Sequence, residues 1–393
     1  MQPRRVRCVR KHWCAIIDTR RLLRADLLPL RLDGFFCVLE TPRNYDDDTF
    51  CLFFSRPSMA CRINADLYVL DHCNGLLLIW DVNPYVINPA TRQRVPLPPF
   101  PEITRQRVVL IPVPRTGANN IELKESSEWP PSPFTTQVFS SRKWRWEERS
   151  FVREGEAAEA IADMQYHRFQ AVYLRGALYV HCQNDSVMRV ALQNDKYQMI
   201  KSPAGNEDFA YLGKCEIVVY FGSLSEENMW PRFRAWLLNE SCGQMEWVLK
   251  NDISLQAVVE NFTNVYTDRY RTPWIVNYQK DVSEVQPEDE SDWVNYQKDV
   301  SEVQPEDESD WDFDSGIVLH ETKDKVTTGN ATMLFLGFHP YKKIAFFLLS
   351  RNSRVVSYHL NTSKVQELGI LDKLFSVSSF PYTPCWMGLF ENN

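Results

Sequence analysis

The sequence has no Cys-x-x-Cys pair among its ten cysteines, which stand at 8, 14, 37, 51, 61, 73, 182, 215, 242 and 385. None of its seven histidines is spaced with another histidine or a cysteine as zinc ligands are. His72-Cys73 and His181-Cys182 are adjacent pairs, and neighbours in a strand point to opposite faces. Phosphate loop, dinucleotide fingerprint, nucleophile elbow and zinc-protease helix are all missing. No cysteine has a local base or a helix start beside it to lower its pKa. These absences lead us to expect no catalytic residue, no metal and no cofactor. The start carries no secretory leader, so a reducing intracellular compartment, cytoplasmic or nuclear, is expected. The longest apolar runs, such as Ile344 to Leu349, are far too short to cross a bilayer, so no membrane partner is expected.

What is present favours strands. Aromatic residues make up 13% of the 393 residues and hydrophobic residues 44%, enough for a large core. The stretch from Leu70 to Pro98 holds two turn signals between short apolar runs. Asn74-Gly75 suits a type I′ hairpin turn, which needs two residues that tolerate positive φ. Asn88-Pro89-Ala90-Thr91 suits a second turn: Pro89 presets φ, and the Asn88 side chain can bond back to the backbone. Consecutive short antiparallel strands follow from this pattern, serving as scaffold rather than as a reaction centre.

The same grammar recurs: an apolar strand, a polar turn, then a strand with an aromatic or aliphatic pair. It appears in Tyr85–Leu97, Gln137–Phe151, Val187–Lys201, Arg234–Leu249 and Val355–Leu368. The first four turns are about 50 residues apart, near the blade length of kelch-type propellers. Ala171 to Val180, and Leu336 to Tyr341 with Ile344 to Leu349, read as inner hairpins of blades. The expected fold is therefore mainly β, a β-propeller of about six blades over residues 33–393. A sixth blade is expected near Thr263–Ile275 or Thr332–Ser350.

Residues 1–32 differ from the rest. Val6, Val9, Trp13 and Ile16 recur at helical spacing, with Arg4, Arg7, Arg10 and Lys11 on other faces. Asp18 or Thr19 can cap a second short helix bearing Leu22, Leu23 and Leu27, which Pro29 ends. Two such helices cannot bury their apolar faces alone and need a third helix or a partner. No groove-reading motif accompanies the arginines, so nucleic acid is not the expected partner.

The charge is uneven. The formal net charge is -7, yet residues 281–314 alone hold fourteen acidic residues and one lysine, leaving about +6 for the remainder. Overlapping this region, VNYQKDVSEVQPEDESDW occurs at 276–293 and again, without change, at 294–311. An acidic, duplicated insertion over 276–315, disordered and projecting from the propeller, is expected from this composition. Its usual meaning is a solubilising spacer rather than a binding element. A smaller irregular loop is expected over Thr116–Pro133. Trp144 and Trp146 alternate with Arg145; packing, with one ring inward and one at the rim, is favoured over a stacking platform.

The stretch RRVRCVRKHWCAIIDTRRLLRADL resembles the second and third helices of an F-box, with Val9-Arg10-Lys11-His12-Trp13 at its centre and Asp18 with Leu22-Leu23 at its end. CNGLL followed by VINPATRQRVPLP, with RGALYVH and LGFHPYK further on, resembles the F-box-associated, kelch-like region of plant F-box proteins, in the branch expanded in cereals. The resemblance covers most of the chain outside the acidic insertion. It implies the substrate receptor of an SCF-type cullin ubiquitin ligase, with the Skp-family adaptor held by the F-box and a target protein held by the propeller. Val6, Val9, Trp13, Ile16, Leu22 and Leu23 would form the adaptor-binding surface. The first F-box helix, normally beginning Leu-Pro, is absent from the pattern, and in the family it supplies much of the adaptor contact. Two rivals stand beside this reading: an orphan binding propeller without adaptor contact, and an enzyme on a propeller scaffold.

Overall fold

The computed structural model of the chain describes residues 31–40, 49–57, 67–80, 83–99, 130, 132–140, 143–157, 166–182, 186–204, 209–241, 245–262, 272–277, 311–319, 332–371 and 377–385. Residues 1–30, the stretch that resembles part of an F-box, and residues 278–310 of the acidic insertion lie outside these.

Taken along the chain, β1 (Gly34–Glu40) and β2 (Thr49–Ser55) pair antiparallel. Next come β3 (Tyr68–Cys73), β4 (Leu76–Trp80), β5 (Tyr85–Asn88) and β6 (Gln93–Pro96), a four-stranded meander that forms the first blade. The hairpin of β7 (Phe134–Ser140) and β8 (Arg145–Glu154) precedes the second blade. That blade is β9 (Tyr166–Leu174), β10 (Ala177–Cys182), β11 (Ser186–Ala191) and β12 (Lys196–Lys201). The third is β13 (Phe209–Cys215), β14 (Val218–Glu227), β15 (Trp230–Asn239) and β16 (Glu246–Ser254), followed by the short helix α1 (Gln256–Phe262). Two small edge strands follow, β17 (Ile275–Asn277) and β18 (Ile317–Val318). The fourth blade is β19 (Met333–Phe338), β20 (Ile344–Leu349), β21 (Arg354–His359) and β22 (Lys364–Ile370), with β18 on its outer edge. Last comes β23 (Val377–Tyr382), which pairs with β1.

The described strands thus form five sheets arranged as the blades of a β-propeller, not six. Strands β3, β9, β13, β19 and β23 lie innermost: β3 touches β9, β9 touches β13, β13 touches β19 and β19 touches β23, while the fifth blade meets the first through β2 and β3. Four of the five recurring segments are the outer hairpins of blades one to four. Gln137–Phe151 is not a blade. Its hairpin is laid on the outer edge of the second blade, where β8 runs parallel to β12. An apolar patch decides this placement: Phe139 and Trp146 pack on Leu78, Val86 and Leu97 of the first blade. The indole of Trp146 donates to the Pro98 carbonyl at 3.1 Å. Trp146 therefore points inward and Trp144 stands at the rim, edge-on to Phe139. Thr332–Ser350 is the inner hairpin of the fourth blade; of the Thr263–Ile275 stretch, residues 263–271 lie outside the described residues and 272–275 lead into the edge strand β17.

The fifth blade is the one no local repeat announced. Its order is β17-β2-β1-β23, so it joins both ends of the described chain and a strand from between the third and fourth blades. Its faces bury Phe35, Phe36, Phe53 and Phe54. Phe35 and Phe54 meet Trp274, only 1% exposed, which also lies edge-on to Trp311 and against Phe313. The Trp274 amide donates to the Leu368 carbonyl at 2.9 Å, bringing the fifth blade against the fourth. This approach requires Gly369, where a Cβ would come within 2.2 Å of the Trp274 carbonyl oxygen.

The insertion's ends are more ordered than its composition indicated. Val276 and Asn277, the head of the first copy, belong to β17, and Trp311, the tail of the second, packs on Trp274 and donates to Gln366 at 3.2 Å. Phe313 is buried in a 3-10 turn. Apolar side chains within an acidic sequence account for this, since the blades offer them a dry surface. Of the Thr116–Pro133 loop, Pro130 is fixed by two donors to its carbonyl: the Tyr197 hydroxyl at 3.0 Å and Arg153 at 3.1 Å.

Because the two copies are identical, excising either leaves the same head and the same tail. The stretch between Asn277 and Trp311 then shrinks from 33 residues to 15. Loop-closure entropy makes the shorter chain more stable by less than about 1 kcal/mol. Urea unfolding of the deletion of 294–311 should show an unchanged slope and an equal or slightly higher midpoint.

Candidate interaction surfaces

The ends of the inner strands are tied together on one face of the ring. Asn74 and Gly75 adopt positive φ of 48° and 82°, the type I′ geometry their sequence favours. A Cβ on Gly75 would stand 2.2 Å from the Thr383 carbonyl oxygen, so the turn lies directly on the C-terminal tail. Asn88 holds the same tail. Its Oδ1 accepts from the amides of Ala90 at 3.1 Å and Thr91 at 3.3 Å, and its Nδ2 donates to the Cys385 carbonyl at 2.9 Å. The two turn motifs that stand out in the sequence therefore converge on Thr383–Cys385. Neither the tail nor its distance along the chain, 297 residues from Asn88, was legible from the motifs themselves.

Other links complete this face. Lys214, at the end of β13, donates to Asn74 Oδ1 at 3.1 Å, joining the third blade to the first. Burial holds the Lys214 ammonium below the usual lysine range. The Glu216 amide donates to the Pro340 carbonyl at 2.7 Å, joining the third blade to the fourth. The chain comes into the ring here as well. The Asp33 amide donates to the Tyr382 carbonyl at 3.0 Å, and Asp33 forms a buried ion pair with Arg31.

The fourth blade's inner turn is built around a neutral imidazole. His339 is buried against Phe313 and Phe346, and its Nδ1 accepts from the amides of Tyr341 at 3.0 Å and Lys342 at 3.1 Å. Nδ1 can accept only when unprotonated. Burial, helped by the charge of Lys342, pushes the His339 pKa down to about 3.

On the opposite end of the third blade, the β14–β15 hairpin extends past the inner strand. Strand β13 begins at Phe209, opposite Leu224, so residues 225–232 reach beyond it. Its two-residue turn is Asn228-Met229, with φ of 52° and 70°. Two other turns share this geometry, Asn74-Gly75 and Arg175-Gly176, and both place glycine second. Met229 occupies the corresponding position with a full side chain, a conformation that costs roughly 1–2 kcal/mol in a non-glycine residue. That side chain is 65% exposed, so burial does not offset the cost. Local sequence reading passed over this turn because a methionine gives no turn signal; only the pairing of Glu227 with Trp230 reveals it.

The described residues hold no group of three or more histidine, cysteine or acidic side chains suited to a metal ion. Burial pushes the thiols of Cys37, Cys182 and Cys215 up to about 12, and that of Cys73 to about 11 with the help of Asp71. These four are thus protonated at neutral pH and poor nucleophiles. His181 faces Phe221 of the third blade while Cys182 joins the core on the other side, as alternation along a strand demands. His72 lies flat on Phe380 at 3.9 Å. The six residues expected to bind an adaptor, Val6, Val9, Trp13, Ile16, Leu22 and Leu23, lie outside the described residues. No helix among the described residues is long and apolar enough to cross a membrane.

No protein-family model matches the chain, and neither does any curated protein. Among solved structures it is similar to the β-propeller domain of Nup133 from Vanderwaltozyma polyspora, at 8% sequence identity and a TM-score of 0.29, over 88% of this chain and 92% of that one. The ring described above rests on this chain's own strand pairing.

Two outcomes are expected from this geometry. Gly75→Ala forces a Cβ onto the tail and a strained φ, and should cost more than about 2 kcal/mol in chemical denaturation. The second concerns acid. Unfolded, His339 takes up its proton near pH 6.5; folded, it resists protonation down to about 3. Its contribution is therefore complete above about pH 6.5 and is lost as pH falls from there toward 3. A His339→Asn chain, whose Oδ1 can accept the same two amides, should lose less stability between pH 7 and 4.5 than the unmodified chain.

Proposed function

We propose that this chain is a binding subunit, the substrate receptor of an SCF-type cullin ubiquitin ligase. The basic and apolar segment at its start grips a Skp-family adaptor, and the propeller holds a target protein. One observation carries the proposal: the chain comes into the ring at Asp33, whose amide is fixed to Tyr382 at the point of ring closure. A motif-bearing segment is thereby tethered to a rigid platform rather than hung from an edge. Such a platform brings its target near a charged ubiquitin-conjugating enzyme and raises the local concentration of one for the other.

In this reading the chain performs no bond chemistry itself. The raised thiol pKa values and the use of His339 as a structural acceptor support that view. The protein then works inside the cell, in the cytoplasm or nucleus, where the adaptor is found.

Retention on immobilised Skp-family adaptor tests the proposal. The full chain should be retained and a Trp13→Asp chain should not, since a charge on the apolar helix face abolishes packing there. If the unmodified chain passes through, the receptor role is lost and an orphan binding propeller is what remains.

A further inference from the structure

We propose that the tip of the β14–β15 hairpin is a docking knob for a protein partner that presents an apolar segment flanked by basic residues. The proposal rests on the receptor reading above, for which it names the surface that meets the target and the chemistry that surface selects.

Three observations point to it. The first is Met229 itself. Two turns of the same geometry carry glycine at this position, and here a long apolar side chain is held at positive φ and 65% exposed. The fold gains neither conformational ease nor burial from it. An exposed residue in a strained backbone conformation is the observation from which a contact outside the chain is inferred.

The second is rigidity. Behind the tip, Arg232 bonds Asp252 at 2.6 Å and lies 3.5 Å from Glu227, while Arg234 pairs with Glu227 and lies 3.3 Å from Asp252. The Leu255 amide donates to the Pro231 carbonyl at 2.9 Å, fixing the hairpin two residues from Met229 to the residue that precedes α1. The methionine is thus presented on a braced support, so little ordering remains to be done on binding. A flexible thioether on a firm base suits an apolar contact of irregular shape.

The third is charge. Glu227 is shared between two arginines, but Glu226, next to it and exposed, makes no ion pair among the described residues. Among the described residues the unbalanced charge beside Met229 is negative, and the complementary partner is basic. The tip also lies at the opposite end of its blade from the Glu216 turn, where the blades and the C-terminal tail are tied.

Panning a phage-displayed library of dodecapeptides against the full chain tests this. Enriched peptides should share apolar residues flanked by lysine or arginine. Their affinity should fall about tenfold on Met229→Gly, the loss typical of a single anchor. Glu226→Lys should weaken the same peptides by reversing the local charge. The Met229→Gly chain should melt at the same or a higher temperature, because glycine relieves the turn, so weaker binding cannot be ascribed to misfolding. No enrichment, peptides without the apolar and basic pattern, or affinities that neither substitution changes would overturn the proposal. Adaptor retention is read separately: its loss with peptide binding intact removes the receptor reading and leaves the knob, and the converse leaves the receptor without this surface.

Discussion

The ladder between β23 and β1, from Gly34 opposite Tyr382 to Leu39 opposite Val377, holds the ring shut, and the other blades depend on it. A row of sheets around an axis has two open ends, and each end sheet has one face without a neighbour. Joining the first described strands to the last removes both ends at once. It also buries Phe36 against Phe380 and Tyr382, an aromatic cluster that exists only when the two chain ends meet. Because these residues are more than 340 positions apart, the loop-closure entropy of the ring is spent in one place.

Two further devices reinforce this closure. One is the clasp of Asn74-Gly75 and Asn88 on Thr383–Cys385, which ties the first blade to the tail just beyond β23. The other is Trp274, whose strand β17 completes the fifth blade while its amide bonds the fourth. Together they secure the closing blade from both sides. The acidic duplication emerges from one of these devices without disturbing it, because one copy keeps the head in β17 and the other keeps the tail beside Trp274. Tolerance of a duplication in such a place follows from its ends, not from an absence of packing.

Among the described residues, polar groups on the tied face and on the β14–β15 hairpin are used differently. On the tied face, side chains such as Asn74, Asn88 and His339 spend their hydrogen-bonding capacity on the chain's own backbone and neighbours. The braced hairpin of the third blade does the reverse: Arg232, Arg234, Glu227 and Asp252 satisfy one another, while Met229 and Glu226 face outward. Groups that hold the scaffold in this way are not free to meet a partner, whereas the two outward side chains take no part in the ion-pair bracing.

The sequence by itself determined what depends on near neighbours. Strand alternation, the turns at Asn74-Gly75 and Asn88-Pro89, the inner hairpins of the first, second and fourth blades and the outer hairpins of four blades all follow from residues near one another in the chain. Only the tertiary structure decided how many sheets these make. The hairpin around Trp144 obeys the same local grammar as a blade, and its demotion to an outer cover depends on an apolar patch supplied by Leu78, Val86 and Leu97 far upstream. The closing blade is made of strands separated by hundreds of residues, so no periodicity could contain it. The exposed turn at Met229 is likewise visible only through register, because its central residues carry no glycine or proline, and the strain in its backbone is imposed by the pairing of the long strands on either side.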